Sequence, residues 1–156
     1  MNKTTHHYNK KVLLAVDASE NSRRAVSYVS QMLGGLEAFY VILLHLFNPP
    51  EEDYFSCQSD QEKWIQQYRL KIDSLLEEYR RILVQEGLDP KAISLRTTLC
   101  YRPSIAECIL KEQSRLDCST IVVGRKGVSR SEEFLFGSVS SRIVSHARNC
   151  TIWVVE

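Results

Sequence analysis

The sequence predicts a single doubly wound α/β domain with a five-stranded parallel sheet and helices on both faces. Short apolar runs alternate with segments of helical periodicity from Val12 to the last residues. A glycine-punctuated stretch opens directly behind the fourth of these runs. Right-handed crossovers return each strand to the same sheet, so this alternation dictates an open sheet sandwiched between helices. At 156 residues with 44% hydrophobic content, the chain can bury about two thirds of the surface its unfolded form exposes. One domain over residues 10–156, behind a polar arm at 1–9 expected to be flexible, therefore suffices.

Val12-Leu-Leu-Ala-Val16 is continuously apolar and stops at the polar turn Asp17-Ala-Ser-Glu-Asn-Ser22, as a strand buried on both faces does. Ala25, Val26, Val29, Met32 and Leu33 then recur at helical spacing, capped by Ser19 or Ser22 and closed by Gly34-Gly35. A second buried strand covers Ala38 to Phe47 and ends at Pro49-Pro50, which deny the ladder a donor. After an acidic loop with Cys57, Trp64, Tyr68, Ile72, Leu75, Leu76, Tyr79, Ile82 and Leu83 mark a long amphipathic helix from about Asp60 to Glu86, ended by Gly87.

Ile93 to Leu99 alternates apolar and polar residues, which places it near a sheet edge with one wet face. Pro103 suits the first turn of a helix carrying Ile105, Ala106, Ile109 and Leu110. Ser119 to Val123 is the fourth strand. A last helix from Ser138 to about Ala147 points Val139, Ile143 and Val144 inward, and Thr151 to Glu156 is the fifth strand.

Ligands of such sheets lie beyond the carboxyl ends of the strands, where the strand order reverses. Here the reversal is expected between strands one and four, so the Asp17 turn and the Gly124 loop face each other across one crevice. The loop reads Gly124-Arg-Lys-Gly127, nine residues, then Gly137-Ser138-Val139. Backbone lies flush against an oxyanion where no Cβ intervenes, and a helix start carries unpaired N–H groups that favour an anion by roughly 0.3 to 2 kcal/mol.

Ser138 and Ser140 add hydroxyl donors. Arg125 and Lys126 stand at the mouth, either as a solvated basic turn or as partners of a polyphosphate. Asp17 is a helix cap, a ligand contact or both. Leu46 is the apolar floor of a base pocket or ordinary core. His45, inside a strand, reads as a packed core histidine, and His146 suits a helix C-terminus.

Bulk properties exclude several classes. Lys and Arg number 20 against 19 Asp and Glu, so no global field steers the chain onto nucleic acid or anionic lipid. The apolar stretches, Val12 to Val16 and Val41 to Leu44 among them, are far short of the roughly 20 residues of a membrane span. The polar start shows no secretory pattern, and a cytoplasmic location is expected. Cysteines at 57, 100, 108, 118 and 150 are odd in number and form no Cys-x2-Cys pair, so reduced thiols acting as small apolar fillers are expected.

With these residues in place the chain resembles the universal stress protein family, whose ATP-binding members carry Gly-x2-Gly-x9-Gly-Ser or Gly-Thr. Gly124, Gly127, Gly137 and Ser138 complete that pattern. The resemblance extends through Val12 to Glu20, Val41-Ile-Leu-Leu-His-Leu46, Pro103-Ser-Ile-Ala-Glu and Gly137-Ser-Val-Ser, covering essentially residues 10 to 156.

It implies the strand order 3-2-1-4-5 of the adenine nucleotide alpha hydrolase-like folds, and ATP as ligand with Mg or Mn on its phosphates. Asp17 with Ala15 and Val16 would line the adenosine part of the site, and Leu46 would touch the adenine. Val123 and the glycine loop, with Ser138, Val139 and Ser140, would hold ribose and phosphates. It also implies a homodimer through the apolar edge strand 151–156. Glu132 and Glu133 depart from the expectation by placing negative charge near the supposed phosphates.

The expected function is an ATP-binding stress-response regulator or switch acting through partner binding, with no catalytic residue and at most slow ATP hydrolysis. Two alternatives remain open. An adenine-nucleotide-dependent enzyme of the same fold group would carry Ser-Gly-Gly-x-Asp-Ser, His-x-Gly-His or a Walker loop, and none is present. A dimeric interaction protein that binds no nucleotide would leave the glycine loop without a ligand.

Overall fold

A computed structural model describes residues 8–101, 104–126 and 137–156. Along the chain run β1 (Lys11–Ala15), α1 (Glu20–Leu33), β2 (Tyr40–Phe47), α2 (Gln58–Gln85), β3 (Ile93–Leu99), α3 (Ile105–Leu116), β4 (Thr120–Gly124), α4 (Ser138–His146) and β5 (Thr151–Val155). The strands form one parallel sheet in the order β3-β2-β1-β4-β5. The strand order reverses between β1 and β4, as the sequence predicts.

Strand periodicity divides the core into two layers. Val12, Leu14, Val41, Leu43 and Val122 face α1 and α2, where Val26, Val29, Leu76 and Leu83 meet them. Leu13, Ile42, Leu44, Ile121 and Val123 face α3 and α4, against Ala106, Ile109 and Ile143. Successive residues of β1 and β2 are thus buried on opposite faces, which is why these strands read as unbroken apolar runs. At the β3 edge only Ile93 is buried, and the alternation in its sequence reflects that position.

Three expectations are corrected, and one alternative, the cap of α1, is resolved. Met32 and Val144 point outward, because each sits about 100° round its helix from the buried neighbours Leu33 and Ile143. The second strand begins at Tyr40, since Ala38 takes a left-handed turn at φ 69° that cannot join a ladder. Ser19, with its side chain accepting from the Ser22 N–H, is the cap of α1. Cys100 and Cys108 are joined in a disulfide with their Cα atoms 6.1 Å apart. Spacing could not reveal that pairing, because one partner follows an edge strand and the other lies in a helix that returns over the sheet. Cys57, Cys118 and Cys150 are free thiols.

Asn9, assigned above to the arm, is fastened to the domain. Its side chain donates to the Asp117 carbonyl at 2.6 Å and accepts from the backbone N–H groups of Lys11 and Ser119. His6, His7 and Pro103 lie outside the described residues.

Leu14 is fully buried in the central strand. Leu14→Ala should cost about 2–5 kcal/mol, the range for a leucine truncated in a packed core. Urea denaturation would check this, and a loss below 1 kcal/mol would show that the α1/α2 layer collapses around the gap.

Candidate functional site

Past Ala15 the chain leaves the β1 ladder, and side chains complete its hydrogen bonding. The Val16 N–H still donates to the Leu44 carbonyl at 2.9 Å. The Val16 carbonyl accepts from His45 Nδ1 at 2.8 Å, so that nitrogen carries the proton. Nε2 in turn accepts from the Tyr68 hydroxyl at 2.9 Å. One residue on, the Asp17 carbonyl accepts from the Tyr79 hydroxyl at 2.8 Å.

The Asp17 carboxylate shapes its own turn. Oδ1 accepts from the Ser19 N–H at 2.9 Å and from Ser22 Oγ at 2.8 Å, while Ser22 Oγ accepts the Asp17 N–H at 2.9 Å. Asp17 therefore organises the entry to α1, and the capping role falls to Ser19.

The opposite wall is the passage from β4 to α4. The Arg125 N–H donates to Val155 at 2.7 Å, and the Arg125 carbonyl accepts from the Gly137 N–H at 2.8 Å and Ser140 Oγ at 2.6 Å. Both glycines here are required by close approach. A Cβ on Gly124 would stand 2.8–2.9 Å from Asn21 atoms, and one on Gly137 would stand 3.0 Å from the Arg125 carbonyl oxygen. Gly137 caps α4 with no side-chain hydrogen bond, and Ser141 makes the first backbone bond back to it. The N–H groups of Ser138, Val139 and Ser140 are thus left without intrahelical partners at the helix start.

Between these walls lies a cleft of about 240 Å³. Ala15, Val16, Asp17, Leu46, Val123, Gly124, Lys126, Gly137, Ser138, Val139 and Ser140 line it, all of them residues singled out in the sequence. Ser22, Leu44, Ile105 and Ile109 line it as well. Leu44 was legible as the residue two before Leu46 on the same strand face. The two isoleucines were legible only as core, since nothing local reveals that the α3 face reaches the strand ends.

Two assignments change. Arg125 is absent from the cleft lining, and its side chain pairs instead with Glu156 at 2.5 Å. The Ser140 hydroxyl is not a spare donor: it is buried and bonded to the carbonyls of Arg125 and Gly137. Gly127, Glu132 and Glu133 lie outside the described residues. Lys126 is therefore the cation lining the cleft among the described residues.

Burial lowers the His45 pKa, opposed by its bond to the Val16 carbonyl and by the Asp17 charge, so the imidazole is neutral. Burial raises the Tyr68 phenol, aided by the negative charge of Asp17. Tyr79 is pushed up to about 12, first by burial, with the Arg23 guanidinium opposing. Both hydroxyls thus remain protonated donors. Tyr68 also packs at 4.3 Å from the Phe47 ring and stacks on Trp64 at 5.2 Å, which holds it against His45.

This fold and strand-end cleft define a class, the small doubly wound α/β domain with its cleft at the switch point. Residues 9–156 match the universal stress protein family. The chain belongs to that family. UspA from Lactobacillus plantarum is similar with a TM-score of 0.74 at 13% identity, over 96% of this chain and 99% of the other. A universal stress protein in complex with cAMP gives 0.69 at 17% identity, over 96% and 98%. The universal stress protein from Archaeoglobus fulgidus in complex with dAMP gives 0.60 at 19%, over 96% and 98%. At such identities the likeness carries the fold. Among proteins with curated descriptions none matches the chain. No described helix is long and apolar enough to cross a membrane.

The Tyr79 hydroxyl has a pH signature. An unfolded tyrosine titrates near 10, so between about pH 10 and 12 the unfolded chain releases a proton that the folded chain keeps. Stability from the protonated hydroxyl is complete below pH 10 and is lost as pH rises through that window. Tyr79→Phe should cost about 1–3 kcal/mol at neutral pH by removing the hydroxyl that donates to the Asp17 carbonyl. That gap should close as pH rises. Urea titrations of both proteins across this range would show it, and parallel stability curves would count against it.

Proposed function

We propose that this universal stress protein binds an adenine nucleotide in the cleft between the Asp17 turn and the start of α4, and that occupancy regulates its binding to partners. The observation that carries the proposal is the cradle at the α4 start. There the unpaired N–H groups of residues 138–140 open beside Lys126, and a Cβ on Gly137 would crowd the Arg125 carbonyl.

The lining fits a nucleotide in kind. Leu44, Leu46, Ile105 and Ile109 offer an apolar slot for a base, and the helix start and Lys126 offer an anion site. Asp17, Ala15 and Val16 lie where a ribose or base edge would be read. Ser138 is exposed at the mouth, while Val139 and Val123 complete the walls. ATP is the proposed ligand, with Mg or Mn carried on its phosphates. Among the described residues no group of three His, Cys, Asp or Glu side chains could hold a metal by itself.

Arg125 is proposed to act by fixing the wall through its backbone, and Gly127, outside the described residues, is proposed to contribute to nucleotide binding. Turnover is proposed to be slow at most: Asp17 is the carboxylate lining the cleft among the described residues, and its Oδ1 already accepts from the Ser19 N–H and the Ser22 hydroxyl. The related structures in complex with cAMP and dAMP favour a second reading, in which the ligand is an adenine monophosphate.

The protein is further proposed to act in the cytoplasm as a homodimer paired through β5, without nucleic acid. Thr151 and Val155 spend backbone groups on β4 and its extension, so by the alternation of a parallel ladder those of Ile152 and Val154 face outward. Half-buried Ile152, Trp153, Val154 and Val155 make this edge unusually apolar.

Calorimetric titration of ATP, AMP and cAMP, with and without magnesium, tests the ligand. Binding should weaken at least ten-fold in Gly137→Val, about 1.4 kcal/mol. Tighter binding of a monophosphate would select the second reading. No binding of any of the three, with none extractable from purified protein, would falsify the nucleotide proposal. Sedimentation of Val154→Pro tests the dimer: the variant should remain folded yet sediment as a monomer, since proline removes an outward N–H that the sheet itself does not use. A monomeric wild type at tens of micromolar would end that part.

A further inference from the structure

The disulfide lies beside the cleft and the proposed function does not use it. Cys100 follows β3 and is held in the sheet by its N–H, which donates to the Phe47 carbonyl at 2.9 Å. Cys108 lies in the first turn of α3, its N–H donating to the Ser104 carbonyl at 3.3 Å. The bond therefore ties that first turn to the β2–β3 ladder. Ile105 and Ile109, on either side of Cys108, form the apolar wall of the cleft. Ser104 caps α3 without a side-chain hydrogen bond, so its first turn lacks the usual local clasp.

We propose that the Cys100–Cys108 pair is a redox modification site whose oxidised form holds the α3 wall of the cleft in place. The effect on ligand affinity rests on the nucleotide reading given above. The co-reactant is a dithiol. Its thiolate attacks one sulfur of the bridge, the Cys100–Cys108 bond breaks, and the displaced sulfur leaves as a thiolate that takes up a proton. The second thiol of the reductant then resolves the mixed disulfide, leaving two protein thiols and an oxidised dithiol, with two electrons and two protons transferred.

Cys108 is 8% exposed and Cys100 1%, so attack enters at Cys108. In a reducing compartment such a bond is transient and reports redox state. Opening it removes the covalent tie between the end of β3 and the first turn of α3. The first turn of α3 is then held by the burial of Ala106 and Ile109 and by the Glu107–Arg142 pair at 3.7 Å, and Ile105 is released at the rim of the cleft.

The test compares wild-type protein treated with diamide and with dithiothreitol. Alkylation under denaturing conditions, read by mass spectrometry, should count three thiols in the first and five in the second. On reduction, amide hydrogens of residues 105–109 should exchange at least ten-fold faster, and ATP should bind at least five-fold more weakly. Cys100→Ser/Cys108→Ser should match the reduced protein with or without dithiothreitol; the reduced wild type decides alone where that variant does not fold. Five alkylated thiols after diamide, or exchange and affinity equal within two-fold in both forms, would overturn the proposal. If neither form binds nucleotide, the nucleotide reading fails and exchange alone decides: faster exchange on reduction upholds the clamp, equal exchange overturns it.

Discussion

The ladder of the central strand ends at Val16 and Asp17, whose carbonyls take side-chain partners in place of a neighbouring strand's backbone. His45 takes the Val16 carbonyl and Tyr79 the Asp17 carbonyl, both from the α2 side of the sheet. The cleft opens on the other side, toward α3 and α4. One wall of the candidate site is thus braced from behind by the opposite core layer. Burial that keeps His45 neutral and both tyrosines protonated preserves the donor and acceptor roles this brace requires.

A complementary economy holds the facing wall. The Arg125 carbonyl receives both the Gly137 N–H and the Ser140 hydroxyl, so a single backbone oxygen fastens the start of α4 to the end of β4. That fastening leaves the N–H groups of residues 138–140 at the rim rather than folded into the core. The Arg125 side chain meanwhile joins Glu156 beyond β5, tying the last strand to the same corner. Positive charge offered to a ligand thus comes from Lys126 and the helix start instead of from two adjacent cations.

Much of this was legible because its signals are periodic or steric. Val12 to Val16 and Val41 to Phe47 lack polar alternation, which parallel strands covered on both faces impose. Gly124 and Gly137 announce close approach, and a Cβ at either position meets backbone. His45 is core, as its place within an apolar strand indicates. The exposed Met32 and Val144 were not legible: a helix's apolar stripe is wider in sequence than the groove it fills, and the groove belongs to other elements.

The chain by itself determined the strand and helix alternation, the reversal point between β1 and β4, and most of the residues that line the cleft there. Each is encoded locally, in hydrophobic period or in the absence of a side chain. The tertiary structure alone decided that Tyr68 reaches His45 and Tyr79 the Asp17 carbonyl, that Ile105 and Ile109 wall the cleft, that Arg125 faces Glu156, and that Cys100 meets Cys108. These relations join segments on different elements, and the distance between two side chains follows from how helices settle on the twisted sheet, which no short stretch of sequence records.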